Sequence, residues 1–388
     1  MPRFPHFAAR TSRLTGSVYE IYRGRMAAQG DRLVALHIGD SYAPPPYPLP
    51  LDAAFTRANP SFNRYCDTFG VPALREALVA KLREDNALDV TRDNVLVTNG
   101  ATNALSATMQ TLVDPGDEVI ILAPYWPFFR GMVRAAGGEI REVPVYTTNA
   151  DAPAMRARLD AALTPRTVAV YLNTPNNPSG RVLSRAHVET VAAFARDNNL
   201  WLLSDEAYDG MAFDGREPLS PASLPGMLER SVSVFTFSKV YLFAGLRLGY
   251  AVASPDVIQA VNRAMVHQLY SPSSMAQQMM VEPVRTRRTW RSTFVDEYQR
   301  TRDAVAKVQR FDAPLPEGAY FFFFPVDAYL RGRSVSDVVN ACLDAGVSVA
   351  PGADFGADYA TWLRICFAGE SPERVLTGVE RLNGVLAG

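Results

Sequence analysis

Apolar and polar positions alternate in blocks along this chain. Glu118-Val-Ile-Ile-Leu122, Thr167-Val-Ala-Val-Tyr-Leu172 and Leu200-Trp-Leu-Leu-Ser204 are short apolar runs bounded by turn residues, the pattern of strands covered on both faces in a parallel sheet. Val95-Leu-Val-Thr98, Ser233-Val-Phe-Thr-Phe-Ser238 and Tyr250-Ala-Val-Ala-Ser254 predict further strands. Helical spacing appears between them, as in Leu74, Leu78 and Leu82 after Pro72, and in Leu105, Thr108, Met109 and Leu112 after Gly100. Residues 15–30 predict a helix, and Leu33–Gly39 an extended stretch that runs into the turn Pro44-Pro45-Pro46. Towards the other end, Val281–Phe311 predicts mostly helix. Ala319–Pro325, Val347–Gly352 and Trp362–Ala368 then predict strands of a smaller α/β unit that contains a helix over Ser334–Ala345.

Composition narrows the class. With 388 residues, 48% hydrophobic and 20% charged, the chain should fold throughout. Its 39 basic and 40 acidic residues leave a formal charge of −1, so no global field draws nucleic acid or anionic membrane, and a small-molecule partner is expected. Arg285, Arg287, Arg288 and Arg291 cluster, but Glu282, Asp296, Glu297 and Asp303 interleave with them, which predicts a solvated helix face. Cys66, Cys342 and Cys366 are far apart and form no CxxC, against a disulfide framework or a metal site and in favour of a reducing cytoplasm. No apolar run approaches the roughly 18 residues of a membrane span, and no secretory h-region is present. Arg3, Arg10 and Arg13 lack an acid before Glu20, as in a transit peptide, yet Pro2 and Pro5 would break its helix.

One lysine then changes the picture. Lys239 closes the apolar run that contains Val234, Phe235 and Phe237, where an ammonium is costly to bury and must be neutralised or used covalently, as in an imine with an aldehyde. Eight residues on, Arg247 is a permanent cation, while Thr236, Ser238 and Gly245 offer hydroxyls and close backbone approach. A lysine for the carbonyl carbon, with arginine and hydroxyls for a phosphate, is the arrangement that pyridoxal phosphate requires. Gly100 between a strand and a helix start makes a second anion site, with Ala101 and the Thr102 hydroxyl beside it, although a simple cap reads the same way. Asp205 ends the strand Leu200–Asp205, at the edge where open α/β sheets bind ligands; a helix cap is the alternative. Arg364 lies between apolar neighbours in Trp362-Leu-Arg-Ile365 and calls for a carboxylate, from a ligand or from a structural ion pair.

Ser238-Lys239 followed by Gly245-Leu-Arg247-Leu-Gly249 resembles the lysine signature of the class I/II aminotransferases, pyridoxal-phosphate enzymes of fold type I. Asn173-Thr-Pro-Asn-Asn-Pro-Ser-Gly180 is similar to the Asn-Pro-Thr-Gly turn of that family. The resemblance implies a large cofactor-binding domain (46–284) with a mostly parallel sheet flanked by helices, and a smaller α/β domain from both chain ends (1–45 and 285–388). It implies that Lys239 carries the aldehyde, that Gly100, Ala101, Thr102, Thr236, Ser238 and Arg247 hold the phosphate, and that Asp205 pairs with the ring nitrogen. Asn177 and Tyr208 would meet the ring oxygen, and Trp126, beside Tyr125, would stack on the ring. Phe128 and Phe129 remain core residues on this reading. Gly39, Asn177 and Arg364 would border the substrate, with Arg364 on the α-carboxylate. Here Asp40-Ser41 replaces the usual Glu-Pro, and a plain turn fits Gly39 equally. Tyr65 would reach the phosphate of a neighbouring subunit, with Tyr270–Ser274 close by, which implies a homodimer with shared sites; packing on the helix after Pro72 is the other reading of Tyr65.

The implied activity is ping-pong transfer of an amino group from an L-amino acid to a 2-oxo acid. The aromatic loop, and Thr102 where members with acidic substrates often carry Lys, favour a neutral or aromatic side chain. Lyases and cyclases on the same scaffold share the cofactor motifs, and a non-catalytic sensor is a further alternative. A sensor fits less well, with no helix-turn-helix before residue 15 and both Lys239 and Arg364 present.

Overall fold

The computed structural model describes residues 9–14, 18–47, 53–58, 60, 62–148 and 150–388. After a short β1 (Val34–Ala35), the chain forms β2 (Val95–Thr98), β3 (Glu118–Ala123), β4 (Glu139–Pro144), β5 (Thr167–Asn173), β6 (Trp201–Asp205), β7 (Ser231–Thr236) and β8 (Gly249–Val252). These last seven make one sheet in the order β2-β8-β7-β6-β5-β3-β4. All its strands run parallel except β8, which lies antiparallel between β2 and β7. The fold is therefore α/β, with a mixed, mostly parallel sheet flanked by helices.

Alternation within the apolar runs explains why both faces are covered. Val119 and Ile121 of β3 pack with Leu105, Phe129 and Ile258, from the helices Gly100–Leu112, Pro127–Ala136 and Pro255–Leu269. Ile120 and Leu122 face the other way, onto Met155 and Val188 of the helices Ala152–Ala162 and Arg185–Asp197. Each large aliphatic side chain so removed from water stabilises the fold by about 1.5–3 kcal/mol.

The remaining strands are β9 (Phe321–Pro325), β10 (Val347–Ser348), β11 (Ala350–Pro351) and β12 (Trp362–Cys366). The stretch Val347–Gly352, predicted as one strand, serves two sheets. Its first half pairs in parallel with β1 and so ties the two ends of the chain, and its second half joins the antiparallel sheet β11-β12-β9. The helix expected over Ser334–Ala345 is present as Val335–Asp344. Ser334 Oγ accepts from the Asp337 amide, and the Asp337 carboxylate accepts from the Ser334 amide.

Two expectations for residues 15–39 need correction. The helix over 15–30 is a 3-10 turn, Val18–Tyr22, leading into a short helix, Arg23–Gln29; residues 15–17 lie outside the described residues, as do 1–8 with Arg3, Pro2 and Pro5. That helix buries none of its residues and contains Gly24, so neither packing nor propensity extends it. The extended stretch Leu33–Gly39 shrinks to β1, beyond which the Leu36 amide turns back onto the Val34 carbonyl.

The arginine cluster is a solvated face only in part: Arg285 and Arg288 are exposed, and Arg287 and Arg291 are not. It falls at the junction of the helices Ser274–Arg285 and Arg287–Val308. Arg287 is buried: its Nε donates to Asp85 Oδ2 at 2.7 Å and its Nη2 to Glu84 Oε2 at 2.8 Å. Arg291 adds a 2.7 Å contact to Asp85, and only Arg288 keeps a largely exposed side chain among the three. Burial alone would raise the Asp85 pKa, but Arg287 and Arg291 hold it well below the carboxylate range. Arg287→Ala should therefore cost about 3 kcal/mol of unfolding free energy, measured by urea denaturation; a loss under about 0.5 kcal/mol would show the network to be idle.

Among the described residues no helix is long and apolar enough to cross a membrane, and no group of His, Cys, Asp and Glu side chains is placed to hold a metal. Cys66, Cys342 and Cys366 are free thiols.

Candidate active site

Parallel strands deliver their following residues to one edge of the sheet. Gly100 follows β2, Trp126 follows β3, Asn177 follows β5, Asp205 ends β6 and Lys239 follows β7. Arg247 reaches the same edge because it precedes the antiparallel β8. Gly39, Ala101, Thr102, Trp126, Asn177, Asp205, Tyr208, Thr236, Ser238, Lys239, Arg247 and Arg364 all line one cleft of about 430 Å³ there.

Lys239 lies in the turn beyond β7, held by Thr236 Oγ1, which accepts from the Ser238 amide at 3.1 Å and donates to Ser238 Oγ at 3.0 Å. Its Nζ donates to the Gly39 carbonyl at 2.7 Å. Enclosure lowers the Lys239 pKa, Asp40 and Cys366 oppose this, and Arg364 and Arg247 add to it. The amine is thus biased towards its neutral, nucleophilic form.

Asp205 is buried and has no cationic partner within ion-pair distance among the described residues. Its carboxylate accepts from Tyr171 Oη at 2.8 Å and from the Ala207 amide at 3.1 Å. Burial pushes the pKa up to about 6 despite those bonds. Phe129 stacks on Tyr171 with centroids 3.7 Å apart, which fixes the donor. Asn173 links Asp205 to the Asn-Pro turn, donating from Nδ2 to the Asp205 carbonyl at 2.8 Å and accepting from the Asn177 amide at 2.8 Å.

Across the cleft, Arg364 of β12 is buried yet has no carboxylate partner among the described residues. Its Nη1 donates to Asn177 Oδ1 at 2.9 Å, and its Nη2 to the His37 carbonyl at 2.6 Å and to Tyr19 Oη at 3.3 Å. The guanidinium lies over the rings of Phe321 and Phe355, 4.4 and 5.0 Å from their centroids, and its Nε is unbonded. The structural ion pair considered from sequence is absent among the described residues, which leaves a net positive charge facing the cleft. That charge and burial push the His37 pKa down to about 4, burial being the larger cause, so the ring is neutral at pH 7; its Nδ1 lies 2.6 Å from Ser348 Oγ.

An anion cradle lies at the start of the helix Gly100–Leu112. No side chain caps that terminus, so its free amides and dipole stay available. Gly100 sits at φ +77, and a Cβ there would meet Arg247 Nη2 at 2.8 Å. The glycine that brings backbone close is Gly249, whose Cβ would lie 2.6 Å from the Ala101 amide. Gly245, expected in that role, is exposed with open space around it.

The aromatic loop divides differently from the expectation. Trp126 lines the cleft, Tyr125 is buried with its hydroxyl on Glu142 at 2.6 Å, and Phe129 is core. Phe128, read as core, is 46% exposed and stands at the cleft wall, because the helix Pro127–Ala136 has already begun and turns it away from Phe129. Tyr65 is outside the cleft, 85% exposed, edge-on to Tyr270 at 5.0 Å. Sequence reasoning missed Tyr19, His37, Arg130, Asp354 and Phe355, which also line the cleft. His37 and Arg130, single polar residues among Ala35-Leu-His-Ile38 and Phe128-Phe-Arg-Gly-Met132, carried a signal; the others did not.

This fold and cleft recur in known proteins. The family model described as aminotransferase class I and II matches residues 47–382. The aspartate/prephenate aminotransferase of Thermus thermophilus is 34% identical over 371 residues, 92% of each chain. The aromatic-amino-acid aminotransferase 2 of Thermococcus litoralis is 31% identical over 329 residues, 83% of this chain and 84% of its own. The Thermus thermophilus aspartate aminotransferase solved with maleate superposes with a TM-score of 0.89 at 30% identity, over 98% of this chain and 100% of that one. The chain belongs to the class I and II aminotransferases, with the fold type I architecture. It is an amino-acid aminotransferase.

Proposed function

We propose that this aminotransferase uses pyridoxal 5'-phosphate, with an L-amino acid of neutral or aromatic side chain as donor and a 2-oxo acid as acceptor. The observation that carries this reading is a pair of opposite, unneutralised buried charges, Asp205 and Arg364, in the cleft that holds the Lys239 amine. A protonated pyridine nitrogen answers the first and an amino-acid carboxylate the second. The cradle between Gly100 and Arg247, which a single Cβ would fill, fits a phosphate.

When bound, the cofactor supplies an aldehyde for the amino group and a protonated ring that draws electrons from the amino acid's Cα. Lys239 would hold that aldehyde at rest and, once displaced, its Nζ would take the Cα proton. Asp205 would keep the ring nitrogen protonated. Gly100, Ala101, Thr102, Thr236, Ser238 and Arg247 would hold the phosphate, with Trp126 on the ring face. Asn177 and Tyr208 would address the ring oxygen, while Gly39 and Arg364, braced by Asn177, would orient the substrate carboxylate. Tyr65 and Tyr270, paired on the surface, suit a neighbouring subunit's site, so a homodimer is part of the proposal. So are a cytoplasmic location and a division into a cofactor domain (46–284) and a smaller domain (1–45 and 285–388), which the separate sheets support.

Half-reactions test it. An L-amino acid given alone should release at most one equivalent of 2-oxo acid per subunit, and turnover should begin when a 2-oxo acid is added. Continuous ammonia release without acceptor would overturn transfer in favour of elimination.

A further inference from the structure

The chemistry just described leaves three charged residues of the cleft unused, Asp40, Arg130 and Asp354, and the last two face each other. Arg130 stands on the helix Pro127–Ala136, four residues after Trp126, and Asp354 on the 3-10 turn Gly352–Phe355. Arg130 Nη2 approaches Asp354 Oδ1 at 3.4 Å, well beyond the roughly 2.7–2.9 Å of a settled charge-assisted hydrogen bond. Its Nε is buried without a partner, and the two side chains keep 18% and 21% exposure to the cleft. Behind them, the Tyr125 hydroxyl donates to Glu142 and lies against Arg130, while Asp354 is the one carboxylate within ion-pair distance of Arg130 among the described residues. Phe355, next in sequence to Asp354, packs under Arg364. A substrate whose α-carboxylate meets Arg364 therefore lies alongside the segment that carries Asp354.

A guanidinium whose one ion pair among the described residues is slack, in a substrate cleft, is unspent recognition capacity, and its fork matches a carboxylate. Asp354 is the weaker candidate for a receptor, since burial raises its pKa against the pull of Arg130. We propose that Arg130 binds the side-chain carboxylate of a dicarboxylic substrate, and that Asp354 steadies the guanidinium when the occupant is neutral. The inference rests on the aminotransferase reading and names its acceptor class, a 2-oxo dicarboxylate such as 2-oxoglutarate in preference to pyruvate. The cation expected at Thr102 for such substrates would then come from a different element.

The test compares the wild-type holoenzyme with Arg130→Met and Asp354→Asn. In Arg130→Met, kcat/KM for 2-oxoglutarate should fall roughly 50-fold, mostly through KM, while pyruvate changes by less than about twofold. Calorimetric titration gives a readout without turnover: succinate should bind more weakly by a similar factor, and butyrate equally well. Asp354→Asn, which keeps the shape and frees Arg130, should bind succinate at least as tightly as wild type. Equal losses for pyruvate and 2-oxoglutarate, or unchanged succinate affinity in Arg130→Met, would overturn the assignment. So would a loss confined to cationic amino acids in Asp354→Asn, which would make Asp354 the receptor. A wild-type enzyme inert with every amino-acid and oxo-acid pair would count against the transfer chemistry, whereas the comparison of succinate with butyrate decides on Arg130 in either case.

Discussion

Lys239→Ala should lower turnover by at least ~10³-fold and leave the protein folded. A positioned general base is worth about 10²–10⁴ in rate, and the same amine is proposed to anchor the cofactor covalently, so both contributions vanish together. Stability should barely move. The amine's hydrogen bond goes to the Gly39 carbonyl, which keeps a longer contact from Tyr320 Oη at 3.4 Å, so the loss is about 1 kcal/mol. Steady-state kinetics beside thermal melting separates the two effects. A variant within tenfold of wild-type turnover would contradict the role of Lys239, and one that fails to melt cooperatively would make the lysine structural.

Asp205→Asn should cost about 10²–10³-fold in kcat, the usual penalty for removing one preorganised charge from a site, and should stabilise the cofactor-free protein. The sign follows from the carboxyl's pKa. Burial lifts it from 3.8 to about 6, so the folded chain holds the proton more tightly than the unfolded one. Below about pH 4 both states are protonated and nothing is lost. Between about pH 4 and 6 stability falls, and above that it stays reduced by up to about 3 kcal/mol. Asn carries no charge and still accepts from Tyr171, so the variant should lack this decline and unfold at higher denaturant at pH 7.5. Added cofactor, whose ring nitrogen would neutralise Asp205, should stabilise wild type more than the variant. Parallel pH profiles for the two proteins would contradict the raised pKa of Asp205 and the unneutralised charge it implies.

The middle of the sheet was legible because strands buried on both faces favour apolar residues throughout, and β3, β5 and β6 read as short apolar runs. Charged residues of the cleft were legible for a related reason: Lys239, Asp205 and Arg364 are set in apolar surroundings in the sequence, and such groups need a partner or a task. What escaped the sequence depends on contacts far along the chain. Arg287 looked solvated because Asp85 lies 202 positions away, and Val347–Gly352 looked continuous because its two halves pair with β1 and β12, which nothing local announces. Gly245 and Gly249 differ only in what surrounds them, open space at one and the Ala101 amide at the other. Phe128 and Phe129 are adjacent and equally apolar, and a helix that starts at Pro127 sends one to the core and the other to the cleft.

Reduction of the holoenzyme with borohydride, followed by proteolysis and mass spectrometry, tests the central claim most directly, since it fixes the cofactor's carbon to whichever amine carries it. The pyridoxyl mass should appear once per chain, on the peptide that contains Lys239, and should be absent from Lys239→Ala. Label on another lysine, or none on a catalytically active protein, would contradict the account.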